Sequence, residues 1–272
     1  MSFIRLDDLN IEYSLSGSKG KETILFVHGL GANLNQFEKQ HEYFSNNFQV
    51  LSINLRGHGK SRLTFQSDQP DFTLSAMSED VIKVLDYLII EQVHFVGNSM
   101  GGNVGYELLK SHLFRLKTFT TFGTTAKLKK SKATIALMRT MYKLLSSRTI
   151  GNLSSSSGNT AYSKQLIKKM MSQTAKSTVF TIIPNIANFN YLAVIRNSKV
   201  PAMIIKGSKD REINKVIEST IKAFEQRGNF RLKNMTEAGH FANLDNPEQF
   251  NHLLEGFYTD YQKQLKQKSN TV

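Results

Sequence analysis

The sequence predicts an α/β protein whose mostly parallel, doubly wound sheet is interrupted by a helical insertion. Three observations carry this expectation. Short apolar runs alternate with stretches of helical period, the pattern that covers both faces of a parallel sheet with helices. Several of those apolar runs end in glycine-rich loops, and the alternation stops between residues 126 and 197 before it resumes.

Taken in order, Ser2–Leu6 and Ile11–Leu15 read as a short hairpin around Asp7-Asp8. Thr23–Val27 is an apolar run that gives way to His28-Gly29-Leu30-Gly31, as a buried strand ending in a loop does. A helical pattern follows through Phe37, His41 and Phe44, then the strand Gln49–Ile53 and the loop Arg56-Gly57-His58-Gly59. Met77, Val81, Val84, Leu85 and Leu88 share one face of an amphipathic helix. The strand Val93–Val96 runs into Gly97-Asn98-Ser99-Met100-Gly101-Gly102 and a helix through Tyr106, Leu109 and Lys110.

After the strand Leu116–Thr121 come helical stretches at Ile135–Leu145 and Ser163–Met171, a Ser-rich hinge at Ser154–Gly158, and no strand until Ala202. Ala202–Lys206, a helix over Lys215–Gln226 and Phe230–Met235 restore the rhythm. Asn246-Pro247-Glu248 then opens a last helix, with Asn as cap and Pro at the first helical position. The polar tail after Tyr261, with Lys263, Lys266 and Lys268, reads as a frayed helix end. The expected organisation is a core formed by residues 1–124 and 199–272, with residues 125–198 as a helical cap.

With 272 residues, 40% of them hydrophobic and 21% charged, the chain can build a real core, and disordered or fibrous classes fit poorly. It has no Cys, which excludes a disulfide framework, a thiolate nucleophile and cysteine-ligated metal centres. No apolar stretch approaches the ~20 residues that span a bilayer. The early acids in Met1–Asp8 are unlike a secretory signal, so a cytoplasmic location is expected.

The net charge of +13 is concentrated in one place. Between Glu107 and Asp210 there are 18 Lys and Arg and no carboxylate, whereas the rest of the chain carries 17 bases against 22 acids. The plain interpretation is a solvated basic surface. The sharper one is attraction of an anionic substrate or an anionic lipid surface. Nucleic acid is not expected, because no recognised binding motif accompanies the charge and aromatic residues do not alternate with it.

Gly97-x-Ser99-x-Gly101 matches G-x-S-x-G, a pattern that arises by chance about 0.1 times in a chain of this Gly and Ser content, so its context decides. An apolar strand precedes it and a helix follows. The turn between must be sharp, and it places Ser99 at the strand's carboxyl end and a helix N-terminus that favours negative charge. A serine hydroxyl needs a base, and the base needs an orienting group. Of seven histidines, His240 follows the last strand and emerges on the same sheet edge. His41, His112 and His252 fall on helices as surface residues, and His94 lies packed within a strand. Asp210, the first acid after Glu107, leaves that edge too. The backbone amides of Met100 and Leu30 are the candidate oxyanion donors, each such donor being worth about 2.7–4 kcal/mol in a transition state. His58 is expected to hydrogen-bond within its turn, and His28 to pack behind the loop of Leu30.

These residues resemble the α/β-hydrolase superfamily, in particular its small members with a helical cap. The resemblance rests on five ordered motifs: His28–Gly31, Arg56–Ser61, the elbow Gly97–Gly102, the turn ending at Asp210, and Gly239-His240. It implies the α/β-hydrolase fold and a serine hydrolase with the triad Ser99, Asp210 and His240, in that chain order. It implies neither a metal nor an organic cofactor. Asn54 stands where many relatives carry Asp, so an ion pair there is expected to be missing. The substrate implied is a small-molecule carboxylic ester, acyl or anionic. The alternatives are carbon–carbon bond hydrolysis or a lyase reaction, which the Asn-Ser-Met-Gly-Gly elbow and Phe241 also suit, and a binding or signalling protein without turnover.

Overall fold

The computed structural model describes residues 2–6, 9–64 and 71–269. Strands β1 (Ser2–Arg5) and β2 (Leu9–Ser16) pair antiparallel, with Ile4 opposite Ile11. Asp7 and Asp8, expected at the turn between them, lie outside the described residues. Next in the chain come β3 (Thr23–Val27), helix α1 (Glu38–Phe44), β4 (Gln49–Ile53), the two-residue β5 (Arg62–Leu63), α2 (Leu74–Tyr87), β6 (Val93–Asn98), α3 (Met100–Ser111) and β7 (Leu116–Phe122). Every residue of β3, β4 and β6 is buried, as central strands covered on both faces require.

An insertion follows, made of β8 (Lys127–Lys129), α4 (Lys132–Leu144), α5 (Ser147–Ser155), α6 (Ala161–Gln173), α7 (Lys176–Ile182), β9 (Asn188–Asn190) and α8 (Leu192–Asn197). The core then closes with β10 (Ala202–Gly207), α9 (Arg211–Asn214), α10 (Glu218–Glu225), β11 (Phe230–Met235), α11 (Ala242–Asp245) and α12 (Pro247–Ser269). The main sheet has the order β1-β2-β4-β3-β6-β7-β10-β11, with β5 on β2. From β4 to β11 the pairs are parallel, so β3, β6, β7, β10 and β11 all end on one edge.

Two apolar layers hold the sheet. Phe26, Val96, Phe122 and Ile205 pack with Phe37, Phe44, Phe250 and Leu254 on the face of α1 and α12. Leu25, Phe95, Phe119 and Ile204 pack with residues of α2, α3, α8 and α10 on the other. Among the described residues no helix is long and apolar enough to cross a membrane.

Four expectations are corrected or refined. The insertion is not free of strands, because β8 and β9 pair antiparallel, Leu128 opposite Phe189, and so draw together residues some sixty positions apart. The helix expected over Lys215–Gln226 is the shorter α10, Glu218–Glu225, and a separate turn of helix, α9, precedes it where Asp210 accepts from the Ile213 amide. The polar tail after Tyr261, expected as a frayed helix end, is helical to Ser269. The Ser-rich hinge is half helix, with Ser154 and Ser155 in α5 and only Ser156 and Ser157 in a turn.

The loop after β4 is fixed by buried polar groups. Asn54 has no ion pair, as its amide requires: its Oδ1 accepts from the Leu34 amide at 2.7 Å and its Nδ2 donates to Glu12 Oε2 at 2.6 Å. Two residues on, Arg56 forms a two-pronged pair with Asp80 of α2, at 2.7 and 2.6 Å, with both side chains almost inaccessible. Removing one member leaves an uncompensated buried charge. Asp80→Ala is therefore expected to destabilise the fold by about 3–5 kcal/mol in urea unfolding.

Candidate active site

The elbow at Ser99 follows from how closely α3 is seated. A Cβ on Gly101 would stand 2.2 Å from the carbonyl oxygen of Val27, at the end of β3, so only glycine lets the first turn of α3 approach the strand ends. Between β6 and α3 the chain turns on a single residue. Ser99 has φ 51° and ψ −118°, a region that L-residues rarely occupy, and its amide donates to Phe122 O at 3.0 Å. Such backbone is strained by about 1–3 kcal/mol and persists only where its surroundings enforce it.

Asp210 and His240 are brought together. Asp210 Oδ2 lies 2.9 Å from His240 Nδ1, and Asp210 is buried while the imidazole is partly open. A carboxylate there accepts the Nδ1 proton and leaves Nε2 as the basic nitrogen. The main chain at His240 is tied to the elbow: Asn98 Nδ2 donates to His240 O at 3.0 Å and to Phe122 O at 3.3 Å. Gly123, at φ +59°, makes room for this, since a Cβ there would sit 2.6 Å from His240 O and 3.2 Å from its Nδ1. Among the described residues no hydrogen bond joins Ser99 Oγ to His240; such contacts are often long before substrate binds.

The two candidate oxyanion amides also flank the serine. A Cβ on Gly29 would be 3.0 Å from Ser99 Cβ, so the loop that carries Leu30 lies against Ser99. Among the described residues neither Leu30 N nor Met100 N has an intramolecular hydrogen-bond partner. The loop is braced by two buried imidazoles. His58 Nε2 accepts from the Gly31 amide at 3.1 Å while Nδ1 faces Arg56 O, and His28 Nε2 accepts from the Leu55 amide while Nδ1 faces Gly29 O. Each ring donates at Nδ1 and accepts at Nε2, hence is neutral. Burial lowers His28 to about 3, with the neighbouring His58 adding to the effect, and burial lowers His58 to about 4.

A cavity of about 120 Å³ opens on Ser99 and Met100. Leu128, Met138, Ile183 and Phe189 of the insertion line it, with Lys130 its only ionisable wall residue. A larger but shallow depression at Ile89, Phe114 and Arg115 lies before β6 and β7, at the opposite end of the sheet from Ser99.

Residues 22–149 match the family model described as the alpha/beta hydrolase fold. The solved enol-lactonase of Burkholderia xenovorans superposes with a TM-score of 0.82 at 21% identity, covering 95% of this chain and 100% of that one. The chain is an α/β-hydrolase-fold protein. This chain is 24% identical to 3-oxoadipate enol-lactonase 2 of Acinetobacter baylyi over 91% of its own length and 92% of the relative's. It is 25% identical to the 2-hydroxy-6-oxononadienedioate/2-hydroxy-6-oxononatrienedioate hydrolase of Paraburkholderia phymatum, over 92% and 91% of the two chains.

The groups that hold this site in place are not marked in the sequence. Gln36 Nε2 donates to Asn98 Oδ1 and Asn243 Oδ1, at 3.1 and 3.2 Å, in a buried cluster behind the elbow. Asp245 accepts from the Gly239 amide at 2.8 Å and from Asn159 of the insertion at 2.7 and 2.9 Å, clamping the histidine loop to the cap. Isolated Asn and Gln carry no spacing signature; position immediately before the nucleophile was the one available cue, for Asn98. His41 is also not a surface residue: its ring bridges Ser16 and Ser52 at 2.8 Å each, and burial lowers it to about 4.

Two predictions follow from this geometry. Glycine tolerates the Ser99 backbone and alanine does not, so Ser99→Gly should be more stable than Ser99→Ala by about 1 kcal/mol in urea unfolding. His28, His41 and His58 are held neutral in the fold but take up protons in the unfolded chain below the ordinary value of 6.5. The unfolded state then binds more protons, so the stability they confer is complete above 6.5 and is lost as pH falls toward about 4. Unfolding midpoints measured across that window should decline steadily; a level profile would contradict the neutral-imidazole assignment.

Proposed function

We propose that this α/β-hydrolase cleaves a carboxylic ester through an acyl-enzyme on Ser99. The observation that carries the reading is the 2.9 Å contact between Asp210 and His240, which leaves Nε2 as a base on the sheet edge where Ser99 stands. His240 Nε2 takes the Ser99 hydroxyl proton as Oγ attacks the ester carbonyl, and the amides of Leu30 and Met100 receive the oxyanion. The tetrahedral species collapses, the alcohol leaves with the proton from His240, and the acyl group stays on Oγ. Water then gives a proton to His240 as it attacks the acyl carbon, and His240 returns that proton to Ser99 Oγ as the acyl–oxygen bond breaks, releasing the acid and restoring Ser99. Asp210 supports the imidazolium in both halves.

Residues 125–198 act as the cap in this reading, because they supply most of the cavity wall. A cavity of about 120 Å³ with mostly apolar walls suits a short acyl group, and Lys130 suits a carboxylate on it. An enol-lactone is an internal ester, so the Acinetobacter relative supports the same bond class. The Paraburkholderia relative and Phe241, buried beside His240, favour carbon–carbon hydrolysis as the second reading.

A fluorophosphonate should label Ser99 in the native protein and leave Ser99→Ala unlabelled. With short-chain esters, Asp210→Asn should lower kcat by about 10⁴-fold, with the fold intact by circular dichroism. Turnover of a vinylogous diketone in preference to every ester would transfer the assignment to carbon–carbon cleavage. A folded protein inert to probe and substrates would favour a binding role.

A further inference from the structure

Helix α4 has two apolar faces and only one is packed. Ile135, Met138 and Tyr142 turn inward, half-buried, against α7 and the following turn at Ile183–Ile186, and Arg139 lies 3.9 Å over the Phe180 ring. The opposite face presents Ala133, Ala136, Leu137, Thr140, Met141 and Leu144, all exposed, with Leu137 at 62% and Leu144 at 75%. This face carries no charge. An uncovered apolar stripe of this kind marks an interaction surface.

The mount is firm. Ser131 caps the start of α4 by accepting from the Thr134 amide, and Lys176 Nζ donates to the carbonyls of Lys143 and Leu145 at its end. The surroundings are basic: Lys127, Lys129, Lys132, Lys143 and Arg148 are exposed around the helix, and no acid occurs between Glu107 and Asp210. A two-fold contact between copies would press like charges together with no carboxylate in the cap to answer them. Apolar side chains between exposed bases instead match a helix that lies in the headgroup region of an anionic bilayer.

We propose that the outer face of α4, with the bases that flank it, seats the protein on an anionic lipid surface. Leu137, Met141 and Leu144 enter the acyl boundary while Lys132 and Lys143 meet phosphates. The same helix turns Met138 into the cavity at Ser99, so the contact face and a cavity wall are opposite sides of one element. The seating requires no turnover and stands whatever bond the site cleaves.

Sedimentation of the full chain with vesicles tests this. Binding should be strong with phosphatidylglycerol present, weak on phosphatidylcholine alone, and reduced by salt as counterions screen the bases. Leu137→Ser/Leu144→Ser should lower partitioning at least about tenfold, and Lys132→Gln/Lys143→Gln about tenfold or more. Both double variants change exposed residues, so circular dichroism and ester turnover in solution should match the native protein. Absence of binding by the native chain, or native-like binding by the apolar variant, overturns the proposal. So does capture on heparin without capture on vesicles. A concentration-dependent dimer that the apolar variant dissolves would assign the face to a second copy instead.

Discussion

The seating of α3 against the ends of β3 and β6 is the constraint on which the site depends, because it forces one residue to reverse the chain in the space of a single turn. Gly101 admits the carbonyl of Val27 where any side chain would collide with it. Ser99 is left at φ 51°, with its side chain at the head of a helix and its own amide satisfied by Phe122. The strain has a use. A relaxed serine would continue into either the strand or the helix, whereas this one projects from the junction, with the amide of Met100 behind it.

A sharp turn alone does not place a base. The histidine loop comes from β11, and the parallel topology delivers it to the same edge without fixing its distance. Buried amides set that distance. Asn98 reaches from the residue before the nucleophile to the carbonyl of His240, Gln36 holds Asn98, and Asn243 holds Gln36 from just beyond the histidine. Polar networks in a low-dielectric interior are specific because a broken member leaves an unpaired group. Packing adds to this: Phe241 is buried with Ile167 and Met170 of α6, and Asp245 bonds both Gly239 and Asn159. The insertion therefore steadies His240 as well as walling the cavity.

Much of this was legible before any coordinates. Strands read from apolar runs, because runs this short, bounded by turn residues, are the pattern of strands covered on both faces, and Asp210 stood out because the segment before it holds no other acid. The pairing of β8 with β9 was not legible: three-residue strands carry too little periodicity, and their register is set by distant partners. Nor was the role of Asn98, Gln36 and Asn243, whose meaning lies in a long-range network rather than in spacing. His41 was misread for a related reason. Its helix faces solvent on average, but one imidazole edge reaches between β2 and β4 to two serines, and helical period does not report which turn abuts the sheet.

The cap follows a different logic from the core. In the core, buried charge is matched, as with Arg56 on Asp80, and acids and bases are interspersed, although single apolar side chains such as Ile89 and Phe114 stand exposed there too. In residues 125–198 there are 12 Lys and Arg and no carboxylate, and α4 leaves apolar side chains in solvent. Self-repulsion among these bases opposes compactness, and an exposed Leu–Met stripe gains nothing from water. Both features become favourable only where something anionic and apolar lies against the helix. The two faces of α4 then cease to conflict: one completes the wall of the cavity at Ser99, and the other finds a surface of its own kind.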